Sequence, residues 1–329
     1  MPVKFRLLTE EDVRALVSAE DLVATMETAL RAFSAGEVQQ PARTTLWIGE
    51  ERAFYGVMPA YVPGGGALGS KLVTYFASNR SRGLTTHFAT ILLMDSTTGA
   101  LMALMDGSYI TEVRTAAVSA VAVRYLAARP VRRMALFGCG VQARGHLLAL
   151  AALLPSLEDV RVWSPYPELT PFVEDIAPRV QPAVRGAASG EDAVRDTDLV
   201  VTVTSSPAPV VEAAWVGQGT LVVTVGACRP EHRELDPGLV ASSRMIVDSR
   251  EAALAESGDV IQGIAEKRFS PDHIRAELGE IIGGLQPART RLGETVIFKS
   301  LGLAVEDVVA ADLVYQRALT RGVGIDLAL

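Results

Sequence analysis

A glycine-rich stretch near the middle of the chain has the residue types of a phosphate-binding turn. Gly138, Gly140 and Ala143 form a Gly-x-Gly-x-x-Ala pattern between the apolar run RMALF and a helix-like apolar run. After a strand, the first glycine permits a tight turn, the second lets the backbone approach a pyrophosphate, and the small third residue lets the helix pack closely. The helix N-terminus attracts the phosphate charge. The candidate contact residues are Gly138, Gly140, Val141, Gln142 and Ala143.

A tight corner between a strand and a helix that binds no ligand is the alternative interpretation of this stretch. Further strand candidates follow it along the chain, which favours a dinucleotide site. NAD sites usually place an acidic residue at the end of the next strand, to bind the ribose hydroxyls, but here that position is Ser164 in VWSPYPE. A serine can donate to a 2′-phosphate and does not repel it, so the sequence favours NADP(H) over NAD(H). Arg144, on the helix that opens after the turn, is a candidate for a second contact.

Three basic residues have the chemistry to hold and protonate a small acid. Arg43 lies in PARTTLWI, Lys71 in GSKLVTYF and Arg114 in an Ala- and Val-rich helical run. A guanidinium binds a carboxylate through two parallel hydrogen bonds, and burial lowers the pKa of a lysine toward neutrality. On pattern alone, an ordinary edge-strand lysine is more common than a catalytic one, and a surface ion pair or a helix-end charge is the alternative for each arginine. His87 in LTTHFAT is a candidate second proton donor, although a lone histidine in a β-run is more often a packed, hydrogen-bonded residue.

Composition excludes several classes of protein. The chain has 329 residues, of which 49% are hydrophobic, so it can form two domains with sizeable cores. Its 31 Lys and Arg against 38 Asp and Glu give a net charge of −7 without a basic block, which argues against nucleic acid as a partner. No apolar run reaches the length of a membrane span, and two cysteines indicate a reducing cytoplasm. The four histidines never fall at metal-ligand spacing, so we expect no metal site; they are His87, His146, His232 and His273.

The pattern of elements predicts an α/β fold class with one domain inserted in another. Residues 9–36 are predicted helical, with capping pairs Thr9/Asp12 and Ser18/Asp21, and short β-rich runs over 40–106 predict a mostly antiparallel sheet. A second helix is predicted over 108–128. From 131, Val- and Leu-rich strands alternate with helices, which is typical of a Rossmann-type, doubly wound parallel sheet. The last helix is predicted over AVEDVVAADLVYQRALTR. The predicted domains are 1–118 with 305–329, which is α+β, and 119–304, which binds the dinucleotide.

Longer motifs extend over nearly the whole chain. They are MPAY, SKLVTYF, MDGSYITEVRTAAVSAVA, GCGVQA, VGACRPEHRELD, ESGDV, AELGEIIGG and TVIFKSLGLAVEDVVAA. Together these motifs resemble the ornithine cyclodeaminase/mu-crystallin family. The resemblance implies a homodimer formed through the first domain, which would bind substrate and dimerise, and a nicotinamide cofactor on the second.

The resemblance also implies roles for single residues. Arg43 and Arg114 match the family's substrate-carboxylate arginines, and Lys71 matches its active-site lysine. Two acids that a cyclodeaminase uses are replaced by Met58 in VMPAY and Cys228 in VGACRP.

Further cofactor contacts are expected on the same basis. Thr115 is a candidate for the phosphates, and Thr204, Val225, Cys228 and Ser300 for the nicotinamide side. Without the resemblance, the two threonines and Ser300 are equally well explained as helix or loop caps.

These expectations together predict a reductase of α-imino acids that uses NADPH or NADH. Cyclic ketimines such as pyrroline-2-carboxylate or piperideine-2-carboxylate are the expected substrates, with hydride transfer to the C=N bond. The alternatives are an ornithine cyclodeaminase-type lyase, which the replacements at Met58 and Cys228 disfavour, an alanine-dehydrogenase-like enzyme, and a non-catalytic nucleotide-binding protein of the crystallin kind.

Overall fold

The computed structural model describes residues 4–49, 53–64, 66–291 and 293–329 and divides the chain into two compact units. The first unit comprises the described residues up to Thr115 together with Leu303–Leu329. The second unit is Ala116–Gly302, so it is a single insertion in the first. No helix within the described ranges is long and apolar enough to cross a membrane.

The strands and helices have the following bounds. The strands are β1 (Lys4–Leu8), β2 (Thr44–Ile48), β3 (Ala53–Tyr61), β4 (Leu68–Tyr75), β5 (His87–Met94), β6 (Leu101–Asp106), β7 (Arg133–Phe137), β8 (Asp159–Trp163), β9 (Ala183–Gly186), β10 (Leu199–Thr202), β11 (Leu221–Thr224), β12 (Arg244–Val247), β13 (Ile274–Glu277), β14 (Val296–Lys299) and β15 (Ile325–Ala328). The α-helices are α1 (Glu10–Leu16), α2 (Ala19–Ser34), α3 (Ser108–Leu126), α4 (Val141–Leu153), α5 (Leu169–Ile176), α6 (Gly190–Val194), α7 (Pro237–Ser242), α8 (Arg250–Glu256), α9 (Gly258–Ala265), α10 (Leu278–Ile282) and α11 (Ala304–Arg321).

The N-terminal helical region is two helices, each beginning at a predicted cap. The Thr9 hydroxyl accepts from the Asp12 N–H while the Asp12 carboxylate accepts from the Thr9 N–H, and Ser18 and Asp21 repeat this capping box. Val17, at φ −141° and ψ 148°, is extended and ends α1. The second cap therefore starts a new helix, and the continuous apolar periodicity over 9–36 is broken there.

The first unit contains a mixed sheet in the order β15-β1-β6-β5-β4-β3-β2. Neighbouring strands are antiparallel except β1 and β6, which are parallel, so the predicted mostly antiparallel sheet is confirmed. The strands β1 and β15 at one edge were not predicted, because any alternation of polar and apolar residues in KFRLL and IDLA extends over four residues at most. The helix α11 packs against β3, β4 and β5.

One face of this sheet carries Lys71 in a row of apolar side chains. Met58, Lys71, Ile91 and Met105 are paired in register across β3 to β6, and all four are buried. Since β4 lies between β3 and β5, Lys71 is inside the sheet and only 3% exposed. The interpretation of Lys71 as an ordinary edge-strand lysine is therefore wrong.

The second unit is a parallel sheet in the order β13-β12-β14-β11-β10-β7-β8-β9. The chain runs outward from β7 through β8 to β9, and then returns to start the other half at β10. This is the doubly wound arrangement with a switch point beside the first strand, and it confirms the predicted Rossmann-type α/β class. The strands β13 (IRAE) and β14 (VIFK) were missed in the sequence, because β13 is half charged and the short apolar run of β14 does not by itself distinguish a strand from a helix segment.

Two glycines are required by the geometry at the carboxyl end of this sheet. Gly138 has φ +115°, where other residues are strained. At Gly226, a Cβ atom would lie 1.9 Å from the Thr204 carbonyl oxygen and 2.5 Å from Glu234 Oε1. The loops after β10 and β11 therefore approach each other too closely for any side chain.

We expect Gly226→Ala to lower the free energy of unfolding by more than about 2 kcal/mol, because backbone must move to admit the methyl group. Urea unfolding followed by circular dichroism measures it. Gly217→Ala is the matched control, since its Cβ would meet nothing closer than Thr220 Oγ1 at 3.8 Å. Equal stabilities of the two variants would contradict the close approach.

Candidate functional site

Four charged side chains meet in the interior of the first unit. Lys71 Nζ lies 2.6 Å from Asp307 Oδ2. Arg114 Nε donates to Asp307 Oδ1 at 3.0 Å, and Arg114 Nη1 donates to Glu306 Oε2 at 2.5 Å. All four are at most 4% exposed. Two buried cations and two buried anions thus form a neutral cluster, which is the condition under which buried charges are tolerated.

Three elements bring this cluster together. The strand β4 supplies Lys71, α3 supplies Arg114, and the first turn of α11 supplies Glu306 and Asp307. Negative charge is favoured in the first turn of a helix, because the free N–H groups point toward it. One of these, the Val305 N–H, donates to Gln40 Oε1 at 2.8 Å, which holds the start of the helix against the loop before β2.

The environment makes Lys71 a proton donor and acceptor near neutral pH. Burial, with the positive charges of Arg114 and Arg43, outweighs the attraction of Asp307 and lowers the Lys71 pKa to about 8. Burial opposes ionisation of Asp307, but Arg114 and Lys71 outweigh it and lower the pKa of this carboxyl group. The lysine can therefore gain or lose a proton beside a carboxylate that stays charged. Its Nζ also lies 3.4 Å from Thr111 Oγ1.

The other predicted residues of this unit lie at different distances from Lys71. Arg43 immediately precedes β2, and its charge acts on Lys71. Met58 is directly opposite Lys71 on β3, so the strand position paired with the lysine carries a thioether and not an acid. His87 starts β5, pairs with Tyr75 and is four residues along the strand from Ile91, the partner of Lys71. At about 3.3 Å per residue this places the His87 backbone about 13 Å from that of Lys71.

The nucleotide-binding turn of the second unit has the geometry that a pyrophosphate needs. Gly140 is the N-cap of α4, and a Cβ atom there would meet nothing within 4 Å. Ala143 is fully buried against the sheet, whereas Val141 is 63% exposed and Gln142 is half-buried. The open backbone at the helix start and the small buried third residue fit a dinucleotide, as the spacing predicted.

Ser164 lies next to this turn. It follows β8 and is 8% exposed, and its Oγ accepts from Cys139 Sγ at 3.5 Å and from the Tyr166 N–H at 3.4 Å. Arg144 instead forms an ion pair with Asp175 on α5. The structure thus brings Ser164 and the turn together and commits Arg144 to a neighbouring helix.

A buried carboxylate that was not predicted holds the loops after β10 and β11. Glu234 is fully buried and accepts hydrogen bonds from the Thr204 N–H at 2.6 Å and the Gly226 N–H at 2.8 Å. It also accepts from Thr202 Oγ1 at 2.8 Å and Thr224 Oγ1 at 3.0 Å. Glu234 therefore fixes the backbone beside Thr204, Val225 and Cys228. In the sequence, Glu234 is an acid in the motif HRELD. The pattern alone does not show whether such an acid is buried or lies on the surface.

The other residues predicted to contact the cofactor are buried or half-buried and form hydrogen bonds with the backbone. Cys228 is half-buried, and its thiol donates to the Val225 carbonyl at 3.2 Å. Ser300 follows β14 and is 1% exposed, and its N–H donates to the Thr224 carbonyl at 3.0 Å. Thr115 is buried in α3, where its hydroxyl donates to the Thr111 carbonyl at 2.6 Å. The parts of the chain that the structure describes contain no group of three or more His, Cys, Asp or Glu residues able to hold a metal ion.

Comparison with known proteins identifies the family of the chain. The model of the ornithine cyclodeaminase/mu-crystallin family matches residues 4–322. The chain belongs to this family. It is 42% identical over 312 residues to the ketimine reductase mu-crystallin of Mus musculus, covering 94% of this chain and 96% of that protein.

Solved structures of family members are similar over almost the whole chain. One is Δ1-pyrroline-2-carboxylate reductase from Thermococcus litoralis in complex with NADH and L-proline. It is 35% identical, with a TM-score of 0.94, and the match covers 98% of this chain and 100% of that one. Another is an archaeal alanine dehydrogenase dimer with bound NAD. It is 32% identical, with a TM-score of 0.92, and the match covers 98% of this chain and 99% of that one. The family inferred from the sequence motifs is confirmed.

The Lys71 pKa of about 8 predicts the pH dependence of any reaction in which Lys71 donates a proton. Lys71 is protonated below this pH, so kcat/KM should fall about tenfold per pH unit above it. In Asp307→Asn, loss of the carboxylate that raises the Lys71 pKa should move this alkaline limb to lower pH.

The control for this experiment is Asp312→Asn on the same helix, whose carboxylate accepts from the Gln316 side chain. Because substrate ionisation is the same for all variants, only the difference between their profiles counts. An unmoved limb in Asp307→Asn would exclude Lys71 as the titrating group.

Proposed function

We propose that this protein is an NAD(P)H-dependent reductase of α-imino acids, with cyclic ketimines such as pyrroline-2-carboxylate and piperideine-2-carboxylate as substrates. The observation that carries the proposal is Lys71, buried beside Asp307 with its pKa lowered to about 8. Membership of a family that contains a ketimine reductase and a Δ1-pyrroline-2-carboxylate reductase supports it.

Different residues are proposed to hold the substrate and to protonate it. Arg43, together with Arg114 alongside its ion pairs to Glu306 and Asp307, would attract the α-carboxylate. The Lys71 ammonium would donate a hydrogen bond to the imine nitrogen. Positive charge on this nitrogen draws electrons from the C=N carbon and makes it a better hydride acceptor. The bound reduced nicotinamide supplies the hydride. The balance is one hydride to carbon and one proton to nitrogen, giving the saturated amino acid and the oxidised cofactor.

The same residues disfavour ornithine cyclisation. A cyclodeaminase needs groups that take a proton from an amine, and the two family positions for such acids are Met58 and Cys228 here. Met58 is 4% exposed and pairs with Lys71 itself, so a thioether occupies the place beside the lysine. Reduction of an imine formed from a keto acid and an amine, as in an alanine dehydrogenase, uses the same holding and protonating groups and is the second candidate.

The first test of the function is spectrophotometric. We expect oxidation of NADPH or NADH, followed at 340 nm, to depend on added piperideine-2-carboxylate, without ammonia release from ornithine. Lys71→Ala should lower kcat at least about a hundredfold, the usual contribution of a positioned proton donor, while the cofactor Kd stays within about twofold. Ammonia release from ornithine without net cofactor change would establish the lyase instead. No cofactor oxidation with cyclic imines, but oxidation with pyruvate and ammonia, would favour the dehydrogenase.

The cofactor preference is proposed to be NADP(H) over NAD(H). Ser164, close to the phosphate turn through Cys139, stands where an acid would repel a 2′-phosphate. We expect Ser164→Asp to raise the Kd for NADPH about tenfold or more relative to that for NADH, about 1.4 kcal/mol, measured by quenching of protein fluorescence. Ser81→Asp in the other unit adds the same charge and should leave the ratio unchanged. The same ratio in both variants would mean that the 2′-phosphate is bound elsewhere.

A homodimer formed through the first unit is also proposed. The sheet face opposite Lys71 is largely apolar and partly exposed, and its exposed large hydrophobic residues include Leu46, Ile48, Phe88, Ile325 and Leu327, at 39–62%. Half-buried Leu72, Leu92 and Leu104 extend the same face. An apolar sheet face of this kind fits a second copy of the chain, and the similar archaeal alanine dehydrogenase is a dimer.

Light scattering after size exclusion tests the dimer. The wild-type chain should elute with twice the 35.0 kDa chain mass, and Phe88→Asp should shift it toward the monomer. Leu285→Asp, at a residue 71% exposed in the second unit, is the control that should remain dimeric. A monomeric wild type would reject the proposal.

A further inference from the structure

The sheet face that carries Lys71 has a covered half and an open half. On the side of Lys71 toward Leu68, the inward residues Ala60, Leu93 and Ala103 are at most 2% exposed. On the other side the strands continue but burial becomes incomplete: Gly56 is still buried, Val73 is only half-buried and His87 is exposed. Beyond the row that contains Lys71, this face is therefore only partly covered.

The open half consists of two rows of side chains. The row next to Lys71 has small residues and is called the floor, and the row beyond it has aromatic rings and is called the wall. Strand register places Gly56, Val73 and Ala89 in the row next to Lys71. The following row is aromatic across β2 to β5 and consists of Trp47, Phe54, Tyr75 and His87.

The rings of this second row form a chain of contacts. The ring centroids are 5.8 Å apart for Trp47 and Phe54, 5.8 Å for Phe54 and Tyr75, and 4.7 Å for Tyr75 and His87. Trp47 remains 46% exposed and His87 is exposed at the opposite end. Large aromatic groups in offset or edge contact attract a further ring in the same geometries.

The distance from Lys71 to these rings along β4 determines how large a substrate side chain must be to contact them. Lys71, Val73 and Tyr75 face the same way on β4, so the floor lies about 7 Å and the ring row about 13 Å from the lysine backbone. An unsubstituted five- or six-membered imine ring held at Lys71 Nζ covers at most the floor. A side chain that ends in a flat ring spans the floor and reaches Tyr75. The side chains of Val73 and Ala89 carry no hydrogen-bonding group, so the floor next to Lys71 is apolar; on β2 the same row continues with Thr45.

We propose that this open half-face, defined by Gly56, Val73, Ala89, Trp47, Phe54, Tyr75 and His87, is the side-chain subsite, and that α-imino acids with an aromatic side chain are preferred substrates. Tyr75 and Trp47 determine the specificity, and His87 contributes a ring to the wall. The inference rests on the proposed function for the position of the C=N bond, and within the α-imino acids it ranks those with an aromatic side chain above the unsubstituted cyclic ketimines.

Isothermal titration calorimetry tests the subsite without turnover. Phenylpyruvate and pyruvate share the carboxylate and carbonyl that Lys71 and the arginines would bind, and neither is reduced in the presence of oxidised cofactor. The full-length protein with NADP⁺ should bind phenylpyruvate about tenfold or more tightly than pyruvate. Tyr75→Ala should remove most of this ratio. Ala89→Leu, which adds bulk to the floor, should remove it too.

The control removes a ring of the same size from the other face of the neighbouring strand. Tyr55 lies on β3 next to Phe54, and strand alternation turns it away from Lys71. Tyr55→Ala should keep the wild-type ratio of the two Kd values, since a general loss of structure or of dimerisation would weaken both ligands alike.

The outcomes separate this inference from the proposed function. Equal affinities for the two keto acids in the wild type, or a ratio that survives both Tyr75→Ala and Ala89→Leu, would overturn the subsite even if piperideine-2-carboxylate is reduced. A Tyr75-dependent preference for phenylpyruvate in a protein that reduces no imine would retain the aromatic subsite and reject the reductase. Reduction of the imine formed from phenylpyruvate and methylamine, with a higher kcat/KM than that formed from pyruvate, would support both.

Discussion

The buried carboxylate of Asp307 is the contact on which the candidate site of the first unit depends. Lys71 and Arg114 are both buried cations, and without an anion between them they would repel each other in surroundings where charge is poorly solvated. Asp307 accepts from Arg114 and lies 2.6 Å from Lys71. The same contact joins β4, α3 and α11, so the chemistry and the packing of this unit have a common centre. The lysine pKa near 8 follows from this balance, because burial and the arginines lower it while Asp307 raises it.

The second unit uses a buried carboxylate for another purpose. Glu234 accepts four hydrogen bonds from two backbone N–H groups and two threonine hydroxyls, and these belong to the ends of β10 and β11 and the loops that follow. A fully buried acid with this number of donors stabilises a fixed loop geometry. The absence of a side chain at Gly226 lets the two loops approach each other, and Glu234 then holds them there. Rigid loops at the carboxyl ends of parallel strands are where doubly wound sheets bind their ligands.

The strand β4 has a different function proposed for each of its faces. Its odd-numbered residues Lys71, Val73 and Tyr75 face the candidate site, and its even-numbered Leu72 faces the apolar surface proposed for dimerisation. Because side chains alternate strictly along a strand, a slip of one residue would exchange the two sets. Register with β3 and β5 therefore places the lysine, the floor and the rings on one side together. The proposed dimer would stabilise the sheet that sets this register.

The sequence by itself determined the features that depend on neighbours along the chain. Both capping boxes, the strand–turn–helix around Gly138, and the bounds of α11 follow from local residue types and spacing. Motifs were enough to identify the family and to single out Lys71 and Arg114. Only the tertiary structure decided which charges meet: Asp307 and Arg114 are 193 residues apart, and nothing in TEVRTAA or AVEDV shows which charged residue each will contact. The two acids of the Ala- and Val-rich segment AVEDVVAA at the start of this helix are compatible with burial, but the segment does not show which residues they contact. The role of Glu234, and the row of rings across four strands, likewise arise only when packing and strand register bring distant residues into contact.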